Sequence, residues 1–343
     1  MITIYDIANA TGYSAPTVSK ALNGTGHLSE TTRNLILKQA REMGYEPNSA
    51  ARSLTTKRTY LIGVIYDDHG MQRGFSHPLF SSMLNKFREN VEIAGYDIIF
   101  LSCHTKMSYI AHAAYRSVEG IAIINAETGL HSELEDLGRM GIPCVSTNAL
   151  IPGICTILTD NKQAGYKAAE YLVSMGHTKI GFLAGPNDAY YYASKDRYLG
   201  FCQYLSEKGI PTDSSYYEEC MYWQGQSGQD GFARLYKRHP DITAVFAASD
   251  LLAMGVIKYA HSHNIKIPEQ LSIIGFDDDY TSEYTSPRLT TFRQDSESIA
   301  NLAAELLLQH MVGLPISNEL IHLPATFIAR DSVYRHIRKQ RRK

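Results

Sequence analysis

Residues 3–54 of the 343-residue chain read TIYDIANATGYSAPTVSKALNGTGHLSETTRNLILKQAREMGYEPNSAARSL. Three short amphipathic segments, each preceded by a hydroxyl residue that can cap a helix, predict helices over 4–11, 15–22 and from 30 to about 43. Gly12 and Gly44 are suited to end the first and third of them. Two short helices joined by a glycine-containing turn predict a helix-turn-helix, although any small three-helix bundle would show the same pattern.

The inward faces of these helices follow from the spacing of their apolar residues. In the second helix Pro16 falls in the first turn, where a missing N–H is tolerated. Each helix has one apolar face, and we expect the following residues to point inward: Ile4, Ile7, Ala8, Val18, Ala21, Leu22, Leu35, Ile36, Ala40 and Met43.

The charges are unevenly distributed along the chain. The first 60 residues hold seven basic and four acidic residues, the last nine hold six basic residues, and residues 61–334 carry a net charge of −11. A basic segment joined to an acidic body is typical of a module that binds a polyanion, but a solvated surface would look the same.

From Tyr60 onward the pattern changes to short apolar runs that alternate with amphipathic segments. Such alternation predicts parallel sheets that are covered by helices on both faces. The number of units is too large for one small sheet, so two doubly wound α/β lobes are expected. The predicted strands are 61–66, 97–101, 120–125, 143–147, 179–185, 243–249 and 271–277, and helices are predicted over 79–94, 161–175, 250–263 and 295–312.

Several function classes are disfavoured by composition. The chain is 44% hydrophobic and 20% charged, which excludes wholesale disorder. We expect a cytosolic protein without membrane contact, because no apolar run is long enough to span a bilayer and the N-terminus lacks a signal-peptide pattern. The five scattered cysteines predict free thiols. We expect no cofactor, no metal site and no enzymatic activity, because the phosphate-binding, nucleophile and metal-ligand motifs are missing.

Three motifs in order make residues 3–54 resemble the DNA-binding head of the LacI/GalR family of bacterial transcription regulators. They are DIA at 6–8, TVSKALNG at 17–24 and GYEPNSAARSL at 44–54. The resemblance implies that the second helix reads bases through Ala15, Pro16 and Lys20. Lys20 can donate to guanine, whereas Ala15 and Pro16 can offer only apolar contacts, for instance to a thymine methyl group. The same resemblance suggests phosphate-contacting or packing roles for Tyr5, Thr17, Ser19 and Asn23.

The segment 48–54 resembles the family's hinge helix, which orders on operator DNA. The resemblance implies that Leu54 enters the minor groove as a wedge, with Ala51 beside it and Arg52 near phosphates. Without the preceding motifs, Leu54 would be interpreted as the last core residue before a linker.

Family blocks continue through the body and imply the fold of periplasmic sugar-binding proteins, with two lobes and a cleft. They are DNKQAGYKAAEYLVSMGHTKIGFLAG at 160–185, FAASDLLAMGVIKYA at 246–260, IPEQLSIIGFDDD at 267–279, SPRLTTFRQD at 286–295 and ATFIARDS at 325–332. The implied organisation is a head at 1–47, a hinge and linker at 48–59, a first lobe at 60–160 and 291–318, a second lobe at 161–290 and 319–334, and a basic tail at 335–343.

On the second lobe the resemblance implies that Arg197 clamps a ligand, that Asp277 accepts hydrogen bonds from it, and that Trp223 stacks on it. Ser249 and Asp250 stand where relatives carry Asn-Asp. A structural ion pair between Arg197 and Asp277 and a core role for Trp223 remain as alternatives. On the other lobe, FSHPLF at 75–80 resembles the family's N-P-[FY]-[FY] loop, with His77 in place of Asn. The resemblance implies that His77, Phe80 and Asn148, which ends a strand of that lobe, contact the effector.

Taken together, these features predict a regulator that binds double-stranded operator DNA as a homodimer and responds to a small effector. The resemblance to the family, rather than any residue, implies that it is a repressor. An aromatic face with charged groups at its rim suits a sugar and also a nucleobase. A solute-binding receptor, a sugar-metabolising enzyme and control by a partner protein are the alternatives. The tail lacks a leucine heptad, so we expect no tetramer.

Overall fold

The computed structural model describes residues 2–46, 53, 57–67, 73–103, 107–126, 131–187, 192–315 and 320–336. The chain divides into two compact units, Met1–Thr59 and Tyr60–Lys343. The hinge residues Ala51, Arg52 and Leu54 lie outside the described residues, as does the tail beyond residue 336.

The N-terminal unit consists of helices α1 (Ile4–Thr11), α2 (Ala15–Leu22) and α3 (Glu30–Glu42). Thr3, Ser14 and Ser29 cap them, and Gly12 ends α1 in the left-handed conformation, with φ 74°. One small core unites the three helices, and it consists of Ile7, Val18, Ala21, Ile36 and Ala40. The prediction was wrong for Leu35, which is 50% exposed because it lies one position away from the buried Ile36 on the helix surface.

The first lobe of the body is built on a six-stranded parallel sheet. Its order is β11-β5-β4-β3-β1-β2. The strands are β1 (Leu61–Tyr66), β2 (Asp97–Leu101), β3 (Gly120–Asn125), β4 (Cys144–Ser146), β5 (Cys155–Thr159) and β11 (Leu320–Leu323). Its helices are α4 (Pro78–Ile93), α5 (Tyr109–Arg116), α6 (His131–Arg139) and α11 (Ser296–Met311). Apolar cores lie on both faces of the sheet, so it is doubly covered.

The second lobe contains a four-stranded parallel sheet with the order β7-β6-β8-β9. Its strands are β6 (Ile180–Ala184), β7 (Tyr217–Glu219), β8 (Ala244–Ala247) and β9 (Ser272–Ile274). The helices are α7 (Asn161–Ser174), α8 (Ala193–Glu207), α9 (Gly225–Arg238) and α10 (Asp250–Ser262). A separate antiparallel pair, β10 (Thr291–Arg293) with β12 (Thr326–Ile328), adds Phe292 to the core of this lobe.

The chain passes between the lobes three times, and two boundaries differ from the expected positions. The first passage follows β5 at Asp160. Residues 291–293 were expected in the first lobe, but β10 packs with the second, because Phe292 is buried in that core. Residues 320–323 were expected in the second lobe, but β11 pairs with β5 of the first sheet. The second and third passages therefore lie near Gln294 and Pro324.

None of the described helices combines the length and the apolar character that a membrane span requires.

Candidate functional site

Helix α2 presents a polar face to solvent. Pro16, Lys20 and Asn23 are exposed, and they lie three to four residues apart, which places them on one side of the helix. Ala15, Thr17 and Ser19 are partly buried. Because the opposite side carries the buried Val18 and Ala21, the exposed face is held at a fixed angle to the rest of the unit.

Three of the predicted phosphate contacts, Thr17, Ser19 and Asn23, have local partners. The Ser14 and Thr17 hydroxyls lie 2.8 Å apart at the start of α2, and Asn23 donates to the Ser19 hydroxyl at 3.2 Å. These bonds order the ends of α2 and leave both carboxamide and hydroxyl groups at the surface. Tyr5 on α1 is 68% exposed, which fits a phosphate contact better than a packing role.

The side chain of Lys20 lies over Gly26, which follows α2. A methyl group built on Gly26 would come 3.1 Å from Lys20 Cδ, and Gly26 has φ +72°. Glycine is suited to position 26 for two reasons. It adopts the left-handed backbone conformation without strain, and it leaves room for the aliphatic part of the Lys20 side chain.

A cleft in the body lies at the carboxyl ends of both parallel sheets. In the first sheet the strand order reverses between β1 and β3, and in the second between β6 and β8. Such switch points open a crevice where ligands bind in open α/β sheets. Residues from the two lobes line a common cavity of about 230 Å³, among them Arg73, His77 and Ser82 from the first and Asp250, Asp277 and Asp279 from the second.

Arg197 lies on α8 and is 3% exposed. Its Nε donates to Asn161 Oδ1 at 2.9 Å, one terminal nitrogen donates to the Ala248 carbonyl, and its guanidinium lies 3.4 Å from the centre of the Phe276 ring. Burial lowers the pKa of this guanidinium to about 10, while the nearby Asp277 and Asp250 carboxylates oppose that change. Arg197 therefore keeps its charge at neutral pH.

Asp277 belongs to a hydrogen-bonded chain that joins two of the passages between the lobes. Its Oδ1 accepts from Gln294 Nε2 at 2.7 Å, and Gln294 Oε1 accepts from the Thr159 hydroxyl at 2.6 Å. The Thr159 carbonyl accepts from Asn161 at 3.0 Å, and Asn161 is the partner of Arg197. Arg197 and Asp277 are not within salt-bridge distance in the described structure, so each is positioned by this chain rather than by the other.

Two of the buried carboxyl groups in the cleft, those of Asp277 and Asp250, have raised pKa values. Burial raises the pKa of Asp277 to about 7, an effect that Arg197 opposes and Asp250 strengthens. Burial also raises the pKa of Asp250 to about 6, against hydrogen bonds from Thr291, Ser282 and the Asp279 amide.

The raised pKa of Asp277 predicts a pH dependence of stability. Because the folded protein holds this proton up to about pH 7 whereas the unfolded chain releases it near pH 4, stability falls as the pH rises between these values. Relative to Asp277→Asn, the wild type should lose up to about 1.4 kcal/mol per pH unit in that window. Urea unfolding of both proteins at several pH values measures the difference, and parallel curves would contradict the shift.

On the first lobe, polar side chains meet where β1, β3 and β4 end. Asn148 donates to Asn125 Oδ1 at 2.8 Å, and the Tyr109 hydroxyl donates to the Asp67 carboxylate. Sequence reasoning identified Asn148 but missed Asp67 and Asn125. The signal was present, because both directly follow or end a predicted apolar strand, as Asp277 does.

His77 and Phe80 take different places. His77 is buried at the start of α4, lines the cavity, and lies with its ring 4.7 Å from that of Phe80. Phe80 belongs to the core of the first lobe and packs edge-on against Tyr66. The structure thus brings His77 to the cleft and places Phe80 behind it as support.

Ser249 and Asp250 begin α10, and their side chains order the surrounding loop. Ser249 caps the helix through the Leu252 amide at 3.2 Å. Both oxygens of Asp250 are occupied, by the Asp279 amide and the Ser282 hydroxyl on one side and the Thr291 hydroxyl on the other. Asp250 therefore fixes the loop after β9, which carries Asp277 and Asp279.

Trp223 follows β7 at the carboxyl edge of the second sheet. It is half-buried and packs against the core, and its indole covers Gly185, where a Cβ would come 2.3 Å from the ring. The tryptophan is thus held at the rim on the backbone that follows β6. Among the described residues no cluster of histidine, cysteine, aspartate or glutamate could hold a metal ion.

The cleft offers a chemically mixed surface. Its cavity is lined by the Asp277 and Asp250 carboxyl groups, His77, the Gln294 amide and the Tyr280 ring. Of the predicted effector contacts, Arg197, Trp223 and Asn148 are not among the residues that line this cavity. Groups of this kind bind uncharged ligands that carry several hydroxyl or N–H groups.

Comparison with known proteins gives matches over nearly the whole chain. A family model described as bacterial regulatory proteins, lacI family, matches residues 3–48, and a periplasmic binding protein-like domain matches residues 169–333. The chain is 31% identical over 341 residues to the HTH-type transcriptional regulator DegA of Bacillus subtilis (strain 168), covering 96% of this chain and 97% of that protein.

Solved structures also resemble the chain. The lac repressor dimer bound to operator and the anti-inducer ONPF superposes with a TM-score of 0.83 at 23% identity, over 97% of this chain and 99% of that one. A LacI family transcriptional regulator from Enterococcus faecium with bound ribose has a TM-score of 0.68 at 26% identity, over 81% of this chain and 100% of its own.

Proposed function

The chain belongs to the LacI family of bacterial regulatory proteins, and from this membership we propose that it is a repressor that binds a palindromic operator. A small polyhydroxylated effector in the cleft of the body switches its affinity for DNA. The observation that carries the DNA-binding part is helix α2, which presents Pro16, Lys20 and Asn23 on one exposed face above a fixed core.

Lys20 is the residue on this face that can distinguish a base by donating hydrogen bonds to guanine O6 and N7. Lys20→Ala should weaken operator binding by about 1–3 kcal/mol and relax the preference at one base pair in each half-site. Fluorescence anisotropy on a series of single-base operator variants measures both effects. Lys38→Ala is a matched control, because Lys38 is an exposed lysine on α3 that pairs with Glu42, one helical turn away. An equal loss of affinity on every operator variant would instead indicate that Lys20 contacts a phosphate.

The effector is proposed to be a sugar or a sugar derivative. Arg197 and Asp277 would fix its hydroxyl groups, Trp223 would cover an apolar face, and His77 and Asn148 would contribute from the first lobe. The ribose-bound relative from Enterococcus faecium supports this class. Calorimetric titration with monosaccharides and nucleosides separates the two ligand classes that the cleft chemistry admits.

A palindromic operator requires two heads, so we expect a homodimer. The tail at 335–343 carries six basic residues and no apolar heptad, so it should not extend the assembly to a tetramer. Sedimentation at micromolar concentration should give a dimer with or without residues 337–343. A monomer would refute the dimer, and a tetramer that survives the deletion would place a second interface on the body.

The hinge residues complete the proposed DNA contacts. Leu54 of each protomer would enter the minor groove, with Ala51 and Arg52 flanking it, as the sequence motif implies. An unstacked step costs a few kcal/mol, which a bent duplex offsets through added contacts.

A further inference from the structure

Among the described residues, the ion pair between Arg73 and Asp279 joins the two lobes of the body. Arg73 precedes α4 in the first lobe, and Asp279 follows β9 in the second. Arg73 Nη1 lies 3.0 Å from Asp279 Oδ2, although the residues are 206 positions apart. Both residues line the cavity of the cleft.

Asp279 is held in place by hydrogen bonds within the second lobe that do not involve Arg73. Asp279 is only 5% exposed, and its amide donates to Asp250 Oδ2 at 2.8 Å. Its Oδ1 accepts from the amide and the hydroxyl of Thr281 at 3.0 and 2.9 Å. Oδ2 is thus the oxygen that faces the other lobe.

The arginine is also attached to a positioned loop. The Arg73 carbonyl accepts from the Ser76 hydroxyl at 2.6 Å, and the carbonyl of Gly74 accepts from the Tyr66 hydroxyl at 2.6 Å. Phe75 stacks on Tyr66 with ring centres 5.2 Å apart. Because Tyr66 ends β1, these contacts tie Arg73 to the first sheet, and the ion pair therefore connects sheet to sheet.

The neighbouring Asp278, in contrast to Asp279, forms its ion pairs within one lobe. Asp278 pairs with Arg293 and Arg330 at 2.7 Å each, and all three belong to the second lobe. Opening the cleft leaves those pairs intact, whereas it removes the arginine from Asp279 and leaves a largely buried carboxylate without this cation. Separation of the lobes therefore carries an electrostatic cost at this one pair.

We propose that Arg73 and Asp279 form a latch that stabilises the closed arrangement of the two lobes. Arg73 is a positioning residue, because it sets the balance between open and closed lobes without needing to touch DNA. The proposal rests on the proposed function where that balance is measured through operator binding. A ligand shifts such an equilibrium only by its differential affinity for the two states, so the latch sets how much differential affinity an effector must supply.

The first test measures the shape of the full-length, effector-free protein by small-angle X-ray scattering. Arg73→Gln and Asp279→Asn should each increase the radius of gyration, and Arg73→Glu should increase it further because two carboxylates then face each other. Arg288→Gln is the control, since it breaks an Arg–Asp pair with Asp331 within the second lobe. Wild-type scattering from both Arg73 variants would overturn the latch.

The second test measures operator affinity without effector. Arg73→Gln and Asp279→Asn should shift it in the same direction by about two- to fivefold, the range that a partly exposed ion pair supports, and the double variant should shift it no further. Additive shifts, or an equal shift in Arg288→Gln, would overturn the latch. If no variant binds any operator, the proposed function fails, and the scattering result still decides whether the latch exists.

Discussion

Arg197→Ala should abolish the response of operator binding to effector while operator affinity without effector stays close to wild type. The reason is that Arg197 is the buried cation of the cleft and contacts Asn161, the Ala248 carbonyl and the Phe276 ring. An effector that loses this partner can no longer distinguish the two lobe arrangements by the 1–3 kcal/mol that coupling typically requires, about 5- to 150-fold in affinity.

The same substitution should lower the free energy of unfolding by about 3 kcal/mol, because it leaves buried acceptors and the Asp277 carboxyl without their cation. Asp277→Asn should weaken the response less, since it keeps an acceptor but loses charge-assisted bonding. Operator anisotropy titrated with effector measures the response, and urea unfolding measures stability. A wild-type midpoint in Arg197→Ala would show that the cleft is not the regulatory site.

Gly200→Ala should lower the free energy of unfolding by up to about 3 kcal/mol, because helices α7 and α8 cross at two glycines. A Cβ on Gly200 would lie 1.8 Å from the Lys162 carbonyl oxygen, and one on Gly165 would lie 1.9 Å from that of Arg197. These neighbours are backbone atoms, so the helices themselves must separate. Since Gly200 is one turn after Arg197 on α8, effector affinity should fall as well.

Gly225→Ala provides the matched control for this prediction. Gly225 also lies in a helix of the second lobe, but its added Cβ would meet only the Leu251 carbonyl at an ordinary 3.6 Å. Thermal and urea unfolding of the two variants should differ clearly. Equal stability of Gly200→Ala and Gly225→Ala would mean that the α7–α8 crossing tolerates a methyl group.

The elements with a strong local signal could be predicted from the sequence. The caps at Thr3, Ser14 and Ser29 fixed the starts of α1 to α3, and the apolar runs from Leu61 and Gly120 coincide with β1 and β3. Strands β5, β7, β10, β11 and β12 were not predicted. The last four have only three or four residues each, which gives too short an apolar pattern to recognise. Strand β5 has five buried residues, and it pairs on one side with β11, which lies far away along the chain.

Within the cleft, contacts between residues that are far apart in the sequence could not be predicted. Arg197 and Asp277 follow from motifs, and Asp67 could have been identified by its place after β1. Gln294 and Thr159 come together only because the chain passes between the lobes at both residues. Arg73 and Asp279 are 206 positions apart, and no local sequence pattern predicts their contact. Phe80 shows the reverse case, because its motif points to a ligand contact while its ring packs in the core.

Selection of bound duplexes from a random library by the full-length protein shows whether the chain recognises a specific operator. We expect enrichment of a palindrome with two half-sites, and loss of preference at one base pair in each half-site when the selection uses the Lys20→Ala variant. Retention of duplexes without any enriched palindrome, or no retention at all, would contradict a sequence-specific operator-binding repressor.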